Sequence, residues 1–306
     1  MKKRTRLITL LYGFLLLFII SVNPAQTNEI IDIILPDLYK TVISDNVDLD
    51  ESNLNIHYID VGQADSILIT LNDSAMLIDA GNNADGKDVV DYITSQNISK
   101  LDYVIGTHPH EDHIGGLDDV IKNFKIEKLL MPKAQTNTKT FEDVLDAAKQ
   151  KKLSVTTPKI GATYALSDAK FTILSCKNDT PENLNTTSIV IRLVFGENSF
   201  IFCADAETEN ENDMLNSKYE LKSNVIKVGH HGSSTSSSEK FLKAVAPDIA
   251  IISVGKDSDY GHPHSKIMKR LNKLGIKTYR TDLNGTIILS SDGENINIKL
   301  QKGEEL

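Results

Sequence analysis

The sequence predicts an α/β protein, and three observations carry that expectation. Ser188–Phe195 and Ser199–Ala204 are apolar runs rich in Val, Ile and Phe, joined through Gly196-Glu197-Asn198, which is a hairpin pattern. Gly116–Phe124 is apolar at Leu117, Val120, Ile121 and Phe124, which is helical spacing. Segments of the two kinds then alternate through the rest of the chain. A length of 306 residues, 40% of them hydrophobic, suits one large domain or two small ones.

Composition narrows the function. The net charge of −9 gives no general attraction for nucleic acid or anionic lipid, so a polyanion would have to be held by a local patch or a metal. With no Trp and 6% aromatics, extended base stacking is not expected. Two cysteines, Cys176 and Cys203, imply no disulfide framework. Cys203 lies in an apolar run and reads as a buried thiol, with pairing to Cys176 the lesser alternative.

In chain order, Lys2, Lys3, Arg4 and Arg6 precede the apolar run Leu7–Val22. A basic start followed by an apolar core is an export signal, so residues 1–25 read as a signal peptide or an uncleaved membrane anchor. Residues 26–52 read as an acidic linker, and the globular domain is expected over 53–306. Strands are expected at Leu54–Val61, Ser66–Leu71 and Ala75–Ile78, then a helix at Asp88–Thr94 and a buried strand at Leu101–Gly106. Later strands are expected near Lys128–Met131, Leu153–Thr156, Lys170–Leu174, Val225–Gly229, Asp248–Val254, Ile276–Thr281, Gly285–Leu289 and Asn295–Leu300. Helices are expected at Thr140–Lys151, Thr208–Leu215, Ser238–Val245 and Lys266–Leu274, and a polar loop at Lys177–Thr187.

The loop between Gly106 and Gly116 is the chemical centre. It reads Thr107-His108-Pro109-His110-Glu111-Asp112-His113-Ile114-Gly115, a strand-to-helix turn on which polar groups can converge. Imidazole and carboxylate are ligands for borderline divalent metals. His108 and His110, two apart, would reach one ion; Asp112 and His113, further round the turn, would reach a second. A solvated loop or a satisfied hydrogen-bond network is the bland alternative. Further on, Asp205 closes an apolar strand, where a carboxylate is costly unless paired or metal-bound. Its other reading is the N-cap of the following helix. Lys227, on the strand Val225–Gly229, is a candidate substrate contact. So are Ser233 and Ser234, in a Gly and hydroxyl run suited to close approach of a phosphate.

These stretches resemble the metallo-β-lactamase superfamily, and within it the hydrolase-like domain of ComEC-type DNA-internalisation proteins. Leu77-Ile78-Asp79-Ala80-Gly81 resembles the superfamily's first motif, and His108-Pro109-His110-Glu111-Asp112-His113 its metal motif. Asp60-Val61-Gly62-Gln63-Ala64-Asp65, His230-His231-Gly232-Ser233, Gly261-His262-Pro263 and Tyr279-Arg280-Thr281-Asp282 are similar to ComEC-type stretches. The similarity spans roughly Leu54 to Leu300.

The resemblance implies a four-layer αββα sandwich with two mixed sheets. It implies one or two divalent ions, zinc with manganese the alternative. His108, His110 and Asp205 would hold the first ion, and Asp112, His113, Asp205 and His230 the second, with Asp205 bridging. Asp79 and Asp60 would support the metal loop from behind. Asp112, His231, His262 and His264 are the catalytic candidates, His231 being also an alternative ligand. No His occurs between His113 and His230, where the superfamily usually has a ligand; Asn185-Thr186-Thr187-Ser188 stands there instead. The implied activity is exported, metal-assisted hydrolysis of a phosphodiester, DNA or a small one. The product would be extracellular or anchored at the outer face of the cytoplasmic membrane, associated with the envelope, with no protein partner inferable. The alternatives are a non-catalytic metal-binding module presenting DNA or a wall polymer, and a hydrolase of lactam, lactone or thioester bonds.

Overall fold

In the central strands, side chains alternate between two apolar environments rather than between core and solvent. On the strand Leu54–Tyr58, Leu54, Ile56 and Tyr58 share one core. On Ser66–Leu71, Ile67, Ile69 and Leu71 join that core while Leu68 joins another. A strand has a two-residue period, so a sheet apolar on both faces must be covered on both.

The computed structural model describes residues 49–134, 136–177, 182–256 and 258–302. Its elements fall within one unit, Asp50–Leu306. In order they are β1 (Leu54–Tyr58), β2 (Ser66–Leu71), β3 (Ser74–Ala80), α1 (Gly86–Ser95), β4 (Lys100–Ile105), α2 (Glu111–Ile114), α3 (Leu117–Asn123), β5 (Lys125–Leu130), α4 (Lys139–Gln150) and β6 (Val155–Thr156). They continue with β7 (Thr163–Leu166), β8 (Ala169–Ser175), β9 (Val190–Phe195), β10 (Asn198–Phe202), α5 (Thr208–Leu215), β11 (Val225–Lys227), α6 (Glu239–Val245), β12 (Ile249–Ile252), α7 (Ser265–Lys273), β13 (Lys277–Arg280), α8 (Thr281–Asn284), β14 (Ile287–Ser291) and β15 (Ile296–Leu300). The expected signal or anchor, and the linker up to residue 48, lie outside the described residues. Among the described residues no helix is long and apolar enough to cross a membrane.

Two mixed sheets result, with strand orders β15-β14-β1-β2-β3-β4-β5-β6 and β13-β12-β11-β10-β9-β8-β7. In the first, β3 to β6 run parallel; in the second, β10 to β13 do. Three apolar cores fill the three spaces of a four-layer stack. One lies between the sheets, around Tyr58, Phe171, Phe200 and Phe202. A second packs the first sheet against Val89 and Ile93 of α1, Val120 and Ile121 of α3, and Val144 of α4. The third packs the second sheet against Met214 of α5, Phe241 of α6, and Ile267 and Leu271 of α7. The expected αββα sandwich is the observed fold. Both cysteines are buried, and no disulfide joins them. The strand β7 and the helical turn α8 were not anticipated: each is four residues long, too short to show a period.

Parallel strands place their carboxyl ends at one edge, where ligands collect in open α/β sheets. The loops after β3, β4, β10, β11 and β12 carry the polar residues singled out above. Gly115 locks the β4 loop into place. Its N–H donates to Gly81 O at 2.9 Å, and a Cβ there would lie 2.2 Å from Asn83 N and 2.3 Å from Asn82 C. All of that is backbone, which cannot swing aside. Gly115→Ala is therefore expected to cost about 1–3 kcal/mol of stability as an overpacked site. A lowered thermal midpoint for the folded chain, followed by circular dichroism, checks it.

Candidate metal centre

Asp205 sits just past β10, and Ala204 before it has a left-handed backbone (φ 46°). The chain therefore turns sharply where the apolar strand ends and aims the carboxylate inward. Asp205 is 2% exposed. Its N–H donates to Ser188 Oγ at 3.2 Å. The cap of α5 is Glu207, whose side chain and that of Asn210 form a capping box, so Asp205 has no capping duty.

One group gathers around Asp205 Oδ1. His113 Nε2 lies 3.2 Å away and His231 Nε2 3.6 Å away. Asp112 Oδ2 lies 3.3 Å from His231 Nε2 and 3.9 Å from His113 Nε2. Asp112, His113, Asp205 and His231 together could hold a metal ion. A second group, His108, His110 and Asp205, lies on the Oδ2 side. There His108 Nε2 is 3.0 Å from His110 Nδ1 and 3.9 Å from Asp205 Oδ2. Asp205 thus turns one oxygen toward each group.

Hydrogen-bond partners set the imidazole tautomers. His231 Nδ1 is 2.9 Å from Ser253 O. A carbonyl only accepts, so the proton sits on Nδ1 and Nε2 faces inward. His113 Nδ1 donates to Asp79 Oδ2 at 2.8 Å with the same consequence. Thr107 also donates to Asp79, from N to Oδ1 at 2.8 Å and from Oγ1 to Oδ2 at 2.7 Å. With the hydroxyl proton engaged there, Thr107 Oγ1 accepts from His108 Nδ1 at 3.2 Å, and His108 Nε2 is turned inward too. One buried carboxylate, Asp79, thereby orients the loop that carries three histidines. Asp79, His230 and His231 are non-glycine residues with positive φ (58°, 49° and 50°), strain typical of residues held for a purpose.

The donor set fits divalent ions. His113 Nε2, His231 Nε2 and Asp205 Oδ1 are buried without a hydrogen-bond partner. Orphaned buried polar atoms are costly, and a shared cation satisfies all three at once. Electrostatics agree. Burial disfavours charge on His113, but Asp205, Asp79 and Asp112 outweigh it and raise its pKa well above the usual histidine value. Burial also opposes the charge on Asp205, yet His113 and His231 hold its carboxyl well below the ordinary range. His108 is different: burial, helped by His113, pushes its pKa well down, so it is neutral.

Several expectations are corrected by these positions. His230 was expected on the second ion; His231 faces that group instead, because Ser253 O pins its Nδ1. His230 lies on the Oδ2 side, 3.5 Å from Asp205, and contacts Glu207 at 3.2 Å and Asn185 Nδ2 at 3.4 Å. Asp60 is not behind the metal loop: its Oδ2 pairs with Lys302 at 3.1 Å, near the surface. Lys227, expected to meet substrate, is fully buried and ion-pairs with Asp65 Oδ2. Ser233 is buried, and the N–H groups of Ser233 and Ser234 donate to His230 O and His264 Nδ1, so neither is free for a phosphate. The Ser234 hydroxyl remains at the exposed surface. His262 and His264 flank the site: the His262 ring lies 5.5 Å from His230 and 6.4 Å from His231, and 4.8 Å from His264.

Asp65 is the residue that sequence reasoning passed over. Its Oδ1 lies 3.5 Å from His231 Nδ1 and its N–H donates to Asp112 O at 3.0 Å. A signal existed. Lys227 interrupts an apolar strand, and a lysine there needs a buried carboxylate, which the Asp before β2 supplies.

Four layers and a carboxylate shared between two histidine groups define a metallo-hydrolase-like class. Residues 59–256 match the metallo-beta-lactamase superfamily, and the chain belongs to it. Within it the chain resembles ComEC-type competence proteins. It is 33% identical over 250 residues to ComE operon protein 3 of Bacillus subtilis, covering 76% of this chain and 32% of that one. It is 29% identical to competence protein ComA of Neisseria gonorrhoeae, covering 74% and 31%. The chain thus spans about a third of the length of these relatives. Among solved structures it resembles in fold the metallo-beta-lactamase fold protein YhfI of Bacillus subtilis, with a TM-score of 0.52 at 12% identity, covering 74% of this chain and 95% of that one.

Metal binding at neutral pH is expected to release protons. His113 and His231 both have raised pKa values, each through Asp205 and other carboxylates acting against burial. Both therefore hold their protons more tightly than an ordinary histidine does, and an ion must displace them. Zinc titrations by calorimetry in buffers of different ionisation enthalpy should give apparent enthalpies that differ in proportion; equal enthalpies would contradict this. Asp79→Asn leaves one acceptor oxygen and sets an NH2 against donors of Thr107 or His113, so the same titration should show metal affinity weakened about 10–100-fold.

Proposed function

We propose that the chain is a metal-dependent phosphodiesterase acting on DNA or a small phosphodiester. The observation that supports this most is the inward-facing set of Asp112, His113, Asp205 and His231, with three buried orphan atoms. Divalent ions, zinc or manganese, would supply there an activated water and charge on the scissile group. His108, His110 and Asp205 would hold one ion, and Asp112, His113, Asp205 and His231 the other.

The chain's own residues do the rest. Asp205 fixes the spacing of the two groups through its two oxygens. Asp79 and Ser253 O keep the imidazoles of His113 and His231 in the ligating tautomer. Burial and the neighbouring His231 push the His262 pKa down to about 4, so its ring is neutral at pH 7 and serves as a substrate contact rather than a standing acid. His264 accepts from Ser234 N at Nδ1, which leaves its Nε2–H as the group able to donate toward a leaving oxygen. The basic and apolar start of the sequence supports export, with the domain extracellular or held at the outer face of the membrane. The competence relatives support DNA over other diesters.

One observation favours a second reading, a metal-binding module without turnover. Asn185 stands where a further histidine ligand is usual, leaving the first group three residues strong. Cleavage of bis-p-nitrophenyl phosphate and single-stranded DNA, with zinc or manganese added, separates the two. Turnover that falls to background in Asp205→Ala and His231→Ala, with the fold intact by circular dichroism, is the expected result. Bound metal without turnover would favour the module, and no bound metal would overturn both.

A further inference from the structure

A charge imbalance lies beside the metal centre. Residues 260–280 carry six Lys and Arg and no Asp or Glu, in a chain whose net charge is −9. The stretch begins at the rim of the site and continues along α7. Arg270 is engaged with Ser237 O, and Lys273 lies 3.4 Å from Glu239. Lys266 and Lys269 are exposed, three residues apart on the first turns of the helix, and so neighbours on its surface. The helix is anchored by Ile267 and Leu271, which are fully buried, so the lysines project from a rigid base.

At the start of the same stretch stands Tyr260, 70% exposed, the most exposed of the large apolar side chains among the described residues. Its ring is not loose. It stacks on His262 with ring centroids 5.7 Å apart and planes inclined by 21°. His262 in turn lies nearly parallel to His231, inclined by 23° at 6.4 Å. A tier of rings therefore runs from solvent to a member of the metal group, and its outermost face is open. An exposed aromatic face held by a second ring beneath it is a stacking platform, and every base has a π-face to offer it.

We propose that Tyr260 and the Lys266–Lys269 face of α7 form a track for single-stranded nucleic acid, one base stacking on Tyr260 while neighbouring phosphates meet the two lysines. This rests on the phosphodiesterase reading and names its substrate class. The composition excludes extended stacking, and one platform beside one basic helix face is consistent with that: it grips a few nucleotides. A base-free polyanion would use the lysines but gain nothing from the tyrosine.

The test is binding to the metal-loaded full chain, so that its outcome does not depend on turnover. The probes are a fluorescent phosphorothioate-linked (dT)6, which resists cleavage, and a phosphorothioate chain of equal length without bases, both followed by anisotropy. Tyr260→Ala should weaken (dT)6 binding about 5–100-fold and leave the base-free chain unchanged, the range expected for one stacked base. Lys266→Gln with Lys269→Gln should weaken both probes. It should also lower the slope of log affinity against log salt by about 0.7 for each lysine lost. Equal affinity of the wild type for the two probes, or no effect of Tyr260→Ala, would overturn the track. A track that holds while Asp205→Ala and wild type are equally inactive on every diester would instead overturn the phosphodiesterase reading alone.

Discussion

Four carboxylates, those of Asp65, Asp79, Asp112 and Asp205, converge where the parallel strands end, and three of them are at most 2% exposed. Buried like charges repel strongly and cannot be left uncompensated. One permanent cation, the Lys227 ammonium, lies among them on Asp65. Three negative charges remain to be balanced by imidazolium or by bound cations. That deficit explains why His113 and His231 have raised pKa values and why their Nε2 atoms have no hydrogen-bond partner. The site is thus a set of acids waiting for divalent charge, and protons are its substitute.

Every other feature of the site serves to keep those acids from relaxing apart. Asp79 is tied to the loop after β4 by three donors. Gly115 lets that loop press against the backbone of Asn82 and Asn83. Ala204, His230 and His231 take left-handed backbone conformations to point their neighbours inward. Removing a strained or buried member should therefore cost metal affinity before it costs the fold, because the three apolar cores lie behind the site.

The site is also asymmetric in its surroundings. The His113 and His231 side is closed by Lys227, Asp65 and Ser253. The other side opens past His230 and His262 to Tyr260 and the start of α7. The stacked rings of Tyr260 and His262 lie on that open side, and the Ser234 hydroxyl is exposed.

The α/β class, most element positions and the metal loop were legible in the sequence, because they rest on local signals: a two- or 3.6-residue apolar period, and ligand residues a few positions apart. Asp205 was legible because a carboxylate ending an apolar strand needs a reason. The choice between His230 and His231 was not, since adjacent residues differ only in where the backbone turns them, and Ser253, far along the chain, decides it. Asp60 and Asp65 lie in one quoted stretch, yet only the pairing of β1 and β2 sends Asp65 inward and Asp60 to Lys302. Lys227 read as a substrate contact because its partner is 162 positions away. Ligand types are a property of the sequence, whereas which of them meet is settled by long-range packing, whose contacts leave no local period to read.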